Sequence, residues 1–204
     1  MSSSAKLYQR THAKLLESQG EDSFLDDAQL ERLRYPVGRF TYPATVTPAE
    51  LSAHIAEIER LPQKMRDAIA GLSDAQLSTP YREGGWMVRQ VVHHVPDSHM
   101  NAFVRFKLAL TEDTPTILPY NQTKWAELPD VNATPVQVSL SLLDSLHTRW
   151  LALLRGMSAA DFAREYLHPE HGKRVRLDAV LAMYAWHSKH HVAQITGLRE
   201  RKGW

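Results

Sequence analysis

The chain has 204 residues, with 24 basic and 23 acidic side chains and a formal net charge of +1 at pH 7. This balance gives no overall field that would attract nucleic acid, and Lys and Arg are not clustered in runs, so we expect no nucleic-acid partner. The absence of cysteine excludes disulfides and thiolate metal ligands, and it leaves His, Asp and Glu as the side chains for a metal site.

No stretch of the sequence is apolar for long enough to cross a bilayer, and the N-terminal residues lack the apolar core of a signal peptide. The sequence therefore predicts a cytoplasmic protein without membrane contact. Hydrophobic residues make up 43% of the chain, which suffices for the core of one domain of this length.

The first 43 residues are predicted to form an N-terminal extension that is partly helical. A weak helical pattern covers residues 2–19, and a short helix is expected over residues 26–33. Residues 35–43 should be extended or looped, because Pro36 and Pro43 each disfavour helix in the residue before them. The sequence leaves open whether this extension packs on the main domain or contacts a partner.

The main domain is predicted over residues 44–204, and it begins with a helix at Thr47. Thr47 is a good N-cap, and Glu50 three residues later completes a capping box. The apolar stripe of this helix continues to Ile69. Pro62 lies inside it, so a kink is expected there.

Three further long helices are predicted along the chain. The second covers residues 87–110, and the third starts at a Thr134 cap. Residues 168–176 form a polar turn region that suits a small hairpin. The last helix is capped by Asp178 and ends near residue 201. Four long helices with little strand signal predict an all-α four-helix bundle.

Histidines are concentrated in two short stretches, which together hold six of the 11 in the chain. On the last helix, His187 and His191 are one turn apart, on a face whose apolar residues should point inward. Two imidazoles at positions i and i+4 can hold one metal ion. His190 points about 100° away from His191, which suits the rim of such a site.

A third ligand is needed, and the upstream stretch offers two candidates. His93 and His94 are adjacent on the second helix, so they cannot both point into one site, and the pattern favours His94 only slightly. The alternative interpretation is that these histidines are hydrogen-bonded core or surface residues. Two separate clusters in a cysteine-free helical chain strengthen the metal hypothesis without settling it.

Several stretches of the chain resemble the YfiT-like branch of the DinB superfamily, a group of small metal-binding four-helix proteins. The resemblance extends from residue 61 to the end of the chain, in order and with few gaps. The matching stretches are residues 81–86 (YREGGW), 88–94 (VRQVVHH), 97–103 (DSHMNAF), 146–150 (LHTRW), 184–187 (YAWH) and 190–193 (HHVA).

The resemblance implies an up-down-down-up bundle, in many members a homodimer, with three His ligands to a divalent ion such as zinc or nickel. It places the ligands at His94, His187 and His191. It also implies a thiol S-transferase that uses a low-molecular-weight thiol such as bacillithiol to attack a small electrophilic substrate. The alternatives are a hydrolase that activates water, and a non-catalytic metal-binding or dimerisation module.

Other residues near the expected site are candidates for binding the thiol or for orienting the ligands. Arg89 and Arg105, on the ligand helix, are candidates for binding anionic groups of the thiol, although solvated surface arginines are an equal alternative. Asp97 and His190, with Arg89 as a further candidate, could orient the ligand imidazoles. Three tryptophans could line the pocket or belong to the core: Trp86, Trp150 and Trp186.

The chain departs from the pattern of this branch at three positions. Pro96 lies two residues after the proposed ligand His94, where it removes a helical hydrogen bond at a cost of about 3 kcal/mol or more and should kink the helix. Met87 replaces a capping Ser or Thr, so the second helix should start less firmly. Gln194 replaces a histidine that is common in the family.

Overall fold

The computed structural model describes residues 26–170 and 172–204, and the unit that contains the site comprises Arg32–Trp204. The helix expected over residues 2–19 lies outside the described residues. Within them, no helix is both long and apolar enough to cross a membrane. The elements are α1 (Asp27–Arg34), α2 (Pro48–Ile69), α3 (Asp74–Leu77), α4 (Val88–Thr111), α5 (Gln122–Trp125), α6 (Asp130–Ala133), α7 (Val136–Gly156), α8 (Ala159–Phe162), β1 (Glu165–His168), β2 (Lys173–Arg176) and α9 (Leu177–Lys202).

The four long helices α2, α4, α7 and α9 form a four-helix bundle, which confirms the predicted all-α class. Both α2 and α4 contact α7 and α9. Helices α4 and α7 run in the same direction, because His93 contacts Ser139 and His99 contacts His147. They are the middle pair of the up-down-down-up order, and two adjacent helices with one direction require the long connection that joins them.

Two apolar clusters fill the bundle and leave a polar layer between them. One cluster joins the C-terminal halves of α4 and α7 to the N-terminal half of α9, around Trp150, Phe106 and Tyr184. The other joins the N-terminal halves of α4 and α7 to the C-terminal half of α9, around Val92 and Ile195. Buried histidines from the middle of α4, α7 and α9 lie between the clusters.

Helix α2 begins as the sequence predicts. The Oγ1 atom of Thr47 accepts a hydrogen bond from the N–H of Glu50 at 3.3 Å, and Oε2 of Glu50 accepts one from the N–H of Thr47 at 2.8 Å. The capping box is therefore complete. The helical residues continue through Pro62 without a break, so the expected kink does not interrupt the helix.

We expect Thr47→Ala to lower the free energy of unfolding by about 1 kcal/mol, because the N–H of Glu50 loses its acceptor. Urea denaturation at pH 7 measures the difference. Ser52→Ala, on the exposed face of the same helix, is the control and should change stability by less than about 0.5 kcal/mol. Equal losses in the two variants would show that the cap has no special role.

Two helices begin differently from the prediction, and both caps were assigned wrongly. Thr134 does not cap α7, because its N–H donates to the carbonyl of Asp130 and the residue ends α6 instead. Helix α9 begins at Leu177, whose N–H donates to the carbonyl of Arg164. Asp178 therefore lies inside the first turn and does not cap it. In both cases a preceding element fixes the start of the helix.

A short hairpin precedes α9, as the polar turn region suggested. Strands β1 and β2 are antiparallel, with Glu165 opposite Arg176 and His168 opposite Lys173. The side chain of Tyr166 is buried in the apolar cluster around Trp150. The hairpin therefore closes one end of the bundle and determines where α9 starts.

Residues 34–42, within the segment predicted to be an extension, lie against α9. The carbonyl of Gly38 accepts a hydrogen bond from Nε1 of Trp186 at 3.0 Å, and the ring of Phe40 contacts the same indole at 5.8 Å between centroids. The carbonyl of Arg34 accepts from Nε2 of Gln194 at 3.2 Å. The domain boundary at residue 43 stays a prediction, but this part of the segment contributes to the site.

Candidate metal centre

Three buried imidazoles from two helices converge at the polar layer of the bundle. Nε2 of His94 lies 3.2 Å from Nε2 of His187, which lies 3.1 Å from Nε2 of His191. One ring nitrogen from each of the three residues lies within 4.8 Å of the other two. His93 points elsewhere, with its Nδ1 atom 2.7 Å from Oγ of Ser139. The geometry thus brings together the three residues that the family resemblance implies as ligands.

Pro96 does not prevent this convergence. Helix α4 continues through Pro96 without a break in its helical residues, and His94 still reaches His187. At the start of the helix, Met87 offers no side-chain cap, as expected, but its N–H donates to Oε1 of Gln90 at 2.8 Å. The helix therefore keeps half of a capping box and places His94 in the cluster.

A chain of hydrogen bonds fixes the protonation of His187. The carbonyl of Ile58 can only accept, so Nδ1 of His147, 2.7 Å away, carries a hydrogen. Nε2 of neutral His147 then accepts from Nδ1 of His99 at 2.9 Å, and Nε2 of His99 accepts from Nδ1 of His187 at 3.3 Å. The series leaves Nε2 of His187 without a hydrogen, with its lone pair directed at the cluster.

Gln194 fixes the protonation of His191 in the same way. Its Nε2 atom donates to the carbonyl of Arg34, which determines the orientation of the amide. Its Oε1 atom therefore accepts from Nδ1 of His191 at 2.9 Å. Nε2 of His191 is left bare and faces His187. The residue that departs from the family pattern thus orients one of the clustered imidazoles.

Burial keeps the clustered imidazoles neutral. It lowers the pKa of His94 to about 4, with repulsion from His190 as a smaller cause. Burial also holds the pKa of His187 and of His191 well below the usual value, and repulsion between the clustered imidazoles adds to it. At pH 7 all three present lone pairs and no positive charge, which is the state required of a metal ligand.

The donor set fits a divalent metal ion. Nitrogens at tetrahedral positions around zinc, each about 2.0–2.1 Å from it, lie about 3.3–3.4 Å apart. The observed separations of 3.1 and 3.2 Å between Nε2 atoms are close to this value. Three protein ligands leave further positions for small molecules, which is typical of catalytic sites.

A cavity of about 480 Å³ opens beside the cluster and gives a ligand access to it. The three histidines form part of its wall, together with Trp86, Trp186 and His190. The indole of Trp86 lies against the ring of His94, with centroids 4.7 Å apart. Trp150 lies elsewhere, fully buried in the core. The sequence left open whether the three tryptophans line the pocket or belong to the core. Two of them line the cavity, and the third belongs to the core.

Of the residues predicted to orient the ligands, His190 is linked to the cluster and Asp97 is not. Nε2 of His190 lies 2.9 Å from Nε2 of Gln194, so His190 supports His191 through the amide. Asp97 shows no hydrogen bond to the three imidazoles among the described residues. Burial, with Asp130 as a second cause, raises its pKa to about 6. His99 and Gln194 contact the ligand rings directly instead.

The two arginines predicted to bind the thiol do not line the cavity. Nη2 of Arg89 contacts Oδ1 of Asp74 at 2.6 Å and Oγ of Ser78 at 3.1 Å. Nη2 of Arg105 donates to the carbonyl of Leu118 at 3.2 Å. Both side chains are buried and bound to other parts of the protein, so the structure lends no support to the predicted role.

The burial of His147 should make the stability of the metal-free protein depend on pH. Burial lowers the pKa of His147 to about 4. The unfolded chain, with a pKa of about 6.5 for this group, therefore binds the additional proton as the pH falls below that value. The contribution of neutral His147 to the free energy of unfolding is therefore fully present above pH 6.5 and is lost as the pH falls toward 4. Both proteins should lose stability when the pH falls from 7 to 4.5. We expect the free energy of unfolding to fall by about 2 kcal/mol less in His147→Gln than in wild type, as measured by urea denaturation. Identical pH dependences would contradict this assignment.

Comparison with known protein families gives a match over most of the bundle. The family model described as the DinB superfamily matches residues 57–195. A relative from Bacillus mycoides (strain KBAB4), provisionally named a metal-dependent hydrolase, is 55% identical over 175 residues, 86% of this chain and 100% of that protein. A relative from Bacillus cereus (strain ZK / E33L) with the same provisional name is 54% identical over 172 residues, 84% of this chain and 98% of that protein.

Two solved structures share the fold of this chain. YfiT from Bacillus subtilis, described as a four-helix bundle of unusual topology and provisionally as a metal-dependent hydrolase, is 45% identical with a TM-score of 0.83. The match covers 85% of this chain and 99% of that one. A mycothiol-dependent maleylpyruvate isomerase shares the fold at 16% identity, with a TM-score of 0.57, over 71% of this chain and 60% of that one.

Proposed function

The chain belongs to the DinB superfamily, as the resemblance of its sequence indicated, and from this premise we propose that it is a metal-dependent thiol S-transferase. In this proposal, His94, His187 and His191 hold one divalent ion, zinc or nickel. A low-molecular-weight thiol and its electrophile bind in the adjacent cavity. The convergence of three buried, neutral imidazoles carries the proposal. The Nε2 atoms of His187 and His191 carry no hydrogen, and two such lone pairs 3.1 Å apart need a shared cation or proton between them.

When bound, a divalent ion lowers the pKa of a thiol, so that the thiol is held as thiolate at neutral pH. The protein orients the ligand imidazoles through the hydrogen bonds of His99 and Gln194. The indole of Trp86 shields His94 from water on one side. In the reaction, the thiolate sulfur forms a bond to an electrophilic carbon, and the leaving group departs with the electrons of the broken bond.

The composition of the cavity favours thiol transfer over hydrolysis. Metal-dependent hydrolysis often uses a carboxylate as general base, and no Asp or Glu lines the cavity among the described residues. A thiol that reaches the site as thiolate needs no such base. The isomerase that shares the fold is mycothiol-dependent, so this fold is compatible with thiol chemistry.

Hydrolysis is the second candidate function, because the more similar relatives carry the provisional name of metal-dependent hydrolase. A bound hydroxide would then be the nucleophile. A non-catalytic metal-binding module is the third candidate. The cavity beside the cluster argues against this last candidate, since a purely structural site would be closed by a fourth protein ligand.

Metal analysis combined with a conjugation assay tests the proposal. The purified protein is assayed for bound metal and then for conjugation of bacillithiol, mycothiol or glutathione to 1-chloro-2,4-dinitrobenzene. One equivalent of metal and turnover with at least one thiol are expected. Metal without turnover of any thiol, together with ester hydrolysis that stops on chelation, would replace thiol transfer by hydrolysis.

We expect Gln194→Met to weaken metal binding by about 10–100-fold, because the new side chain keeps the volume but cannot accept from Nδ1 of His191. Competition with a chromophoric chelator measures the affinity. Gln63→Met, on the exposed face of α2, is the matched control and should leave it unchanged. An unaltered affinity in Gln194→Met would mean that His191 needs no orienting partner.

A further inference from the structure

We propose that the cavity beside the three histidines selects a small ligand with a carboxylate or similar anionic group, and that Arg34 and Arg82 bind this group. The inference rests on the proposed function, because it specifies the ligand of the same site. It concerns two arginines that have no carboxylate partner among the residues that the structure describes. The anionic group belongs either to the thiol or to its electrophile.

The lining of the cavity is positively charged. Arg34 and Arg82 are part of its wall, and no Asp or Glu is, among the described residues. A bound divalent ion would add further positive charge. An anion entering the cavity therefore meets only favourable charges.

Neither arginine has a carboxylate partner in the described part of the chain, where the salt bridges involve other cations. Arg82 donates from Nη1 to the carbonyl of Glu83 at 2.6 Å and from Nε to the hydroxyl of Tyr81 at 3.2 Å. The guanidinium of Arg34 lies 5.4 Å from the ring centroid of Tyr35. Both keep donors that could bind a carboxylate.

The loop that carries Arg82 is built to place this side chain. Gly84 has a φ of +58°, which favours glycine. A Cβ atom at Gly85 would lie 2.7 Å from Cγ of Arg82 and 3.1 Å from its carbonyl oxygen. The arginine can fold back over the loop only because position 85 lacks a side chain. Arg201 holds the loop from α9, with Nη2 2.6 Å from the carbonyl of Tyr81.

Arg34 is held at the cavity by a different segment. Its carbonyl accepts from Nε2 of Gln194, the residue that orients His191. The neighbouring Tyr35 ring contacts the ring of His190, with centroids 5.8 Å apart. Two arginines from separate segments therefore reach one cavity, each fixed by contacts with the bundle.

The cavity also limits the size and shape of the ligand. Its volume of about 480 Å³ lies in the range of small-molecule sites. The indoles of Trp86 and Trp186 give it flat apolar walls. A guanidinium binds a carboxylate through two parallel hydrogen bonds, which gives direction as well as charge. The expected ligand is compact, with an anionic end and an apolar part.

The first arm of the test measures thiol binding to the metal-loaded protein by isothermal titration calorimetry. The probes are 3-mercaptopropionate, which is anionic, and 2-mercaptoethanol, which is neutral. If the anion belongs to the thiol, wild type should bind the anionic probe at least about tenfold more tightly, and Arg34→Gln combined with Arg82→Gln should remove this preference. Arg66→Gln, whose ion pair with Asp144 lies on the surface, is the matched control.

The second arm measures kcat/KM for iodoacetate and iodoacetamide with 2-mercaptoethanol as the thiol, corrected for the uncatalysed reaction. If the anion belongs to the electrophile, wild type prefers iodoacetate and the double variant loses the preference. Loss of preference in either arm supports the proposal and names the source of the anion. If wild type prefers the anionic probe in neither arm, or if the double variant keeps the preference, the role of Arg34 and Arg82 is overturned. The proposal of thiol transfer is not affected by that result. If neither thiol binds the metal, the proposed function falls and this inference falls with it.

Discussion

His94→Ala is expected to abolish stoichiometric metal binding, whereas His93→Ala, one residue away on the same helix, is expected to retain it. Both imidazoles are buried, but only Nε2 of His94 lies in the cluster, 3.2 Å from Nε2 of His187. His93 instead contacts Oγ of Ser139. Since structural zinc sites with four ligands are worth about 10–16 kcal/mol, loss of one ligand should weaken binding by about 100- to 1000-fold.

Elemental analysis of the purified variants and chelator competition measure this difference. The pair is well matched because the two residues share a helix, a residue type and a low exposure. The conjugation activity should follow the metal content in both variants. Loss of metal in both variants, or in neither, would mean that the convergence of the three imidazoles is not the metal site.

Trp150→Ala is expected to lower the free energy of unfolding by about 3–5 kcal/mol, the usual cost of removing a large buried aromatic side chain. The indole is fully buried and contacts the rings of Phe106 and Tyr184. It also lies 5.6 Å from the ring of His99 and 5.9 Å from that of His147, between centroids. The cavity left behind would therefore also loosen the hydrogen bonds that orient His187.

Thermal and urea denaturation of the metal-free protein measure the loss of stability. Trp125→Ala is the control, because this indole is 36% exposed on the short helix α5, and the loss should stay below about 1 kcal/mol. In Trp150→Ala we also expect weaker metal binding. A loss of stability in Trp150→Ala no larger than in the control would contradict the assignment of this indole to the core.

The sequence alone could predict the part of the site that depends on local spacing. His187 and His191 are one turn apart, and any helix places such a pair on one face. Periodicity favoured His94 over His93 only slightly, because His94 lies at the edge of the apolar stripe of α4. The resemblance to known proteins decided for His94, and the structure brings this residue to the cluster.

The residues that orient the ligands could not be predicted in the same way. His147 acts through the carbonyl of Ile58, and Gln194 through that of Arg34, so both depend on contacts between distant parts of the chain. Some signal was present, since Gln194 follows His191 by three residues on the same helix. The comparison with the family pattern shows only that Gln194 stands in place of a histidine, and it does not show that the amide contacts His191.

The contacts of the arginine side chains could not be predicted from local sequence. Arg89 and Arg105 share a helix with His94, but helical position does not determine which element each side chain meets. Arg89 pairs with Asp74 and Arg105 contacts the carbonyl of Leu118. The arginines that do reach the cavity are Arg82, in a loop, and Arg34, the last residue of the short helix α1. Neither position belongs to a long periodic pattern that would indicate the direction of its side chain.

The helix caps show the same limit for the fold. The capping box of α2 was predicted correctly because Thr47 and Glu50 satisfy each other locally. Thr134 and Asp178 were predicted from the same preference, yet α6 and the hairpin fix the starts of α7 and α9. Local chemistry decides a helix end only where no neighbouring element competes for it.

The most direct test is a crystal structure of the purified protein with anomalous data collected at the absorption edges of zinc and nickel. We expect one anomalous peak about 2.0–2.2 Å from Nε2 of His94, His187 and His191, at the edge of the cavity that Arg34 and Arg82 line. An anomalous peak elsewhere in the protein, or none in metal-supplemented crystals, would contradict it.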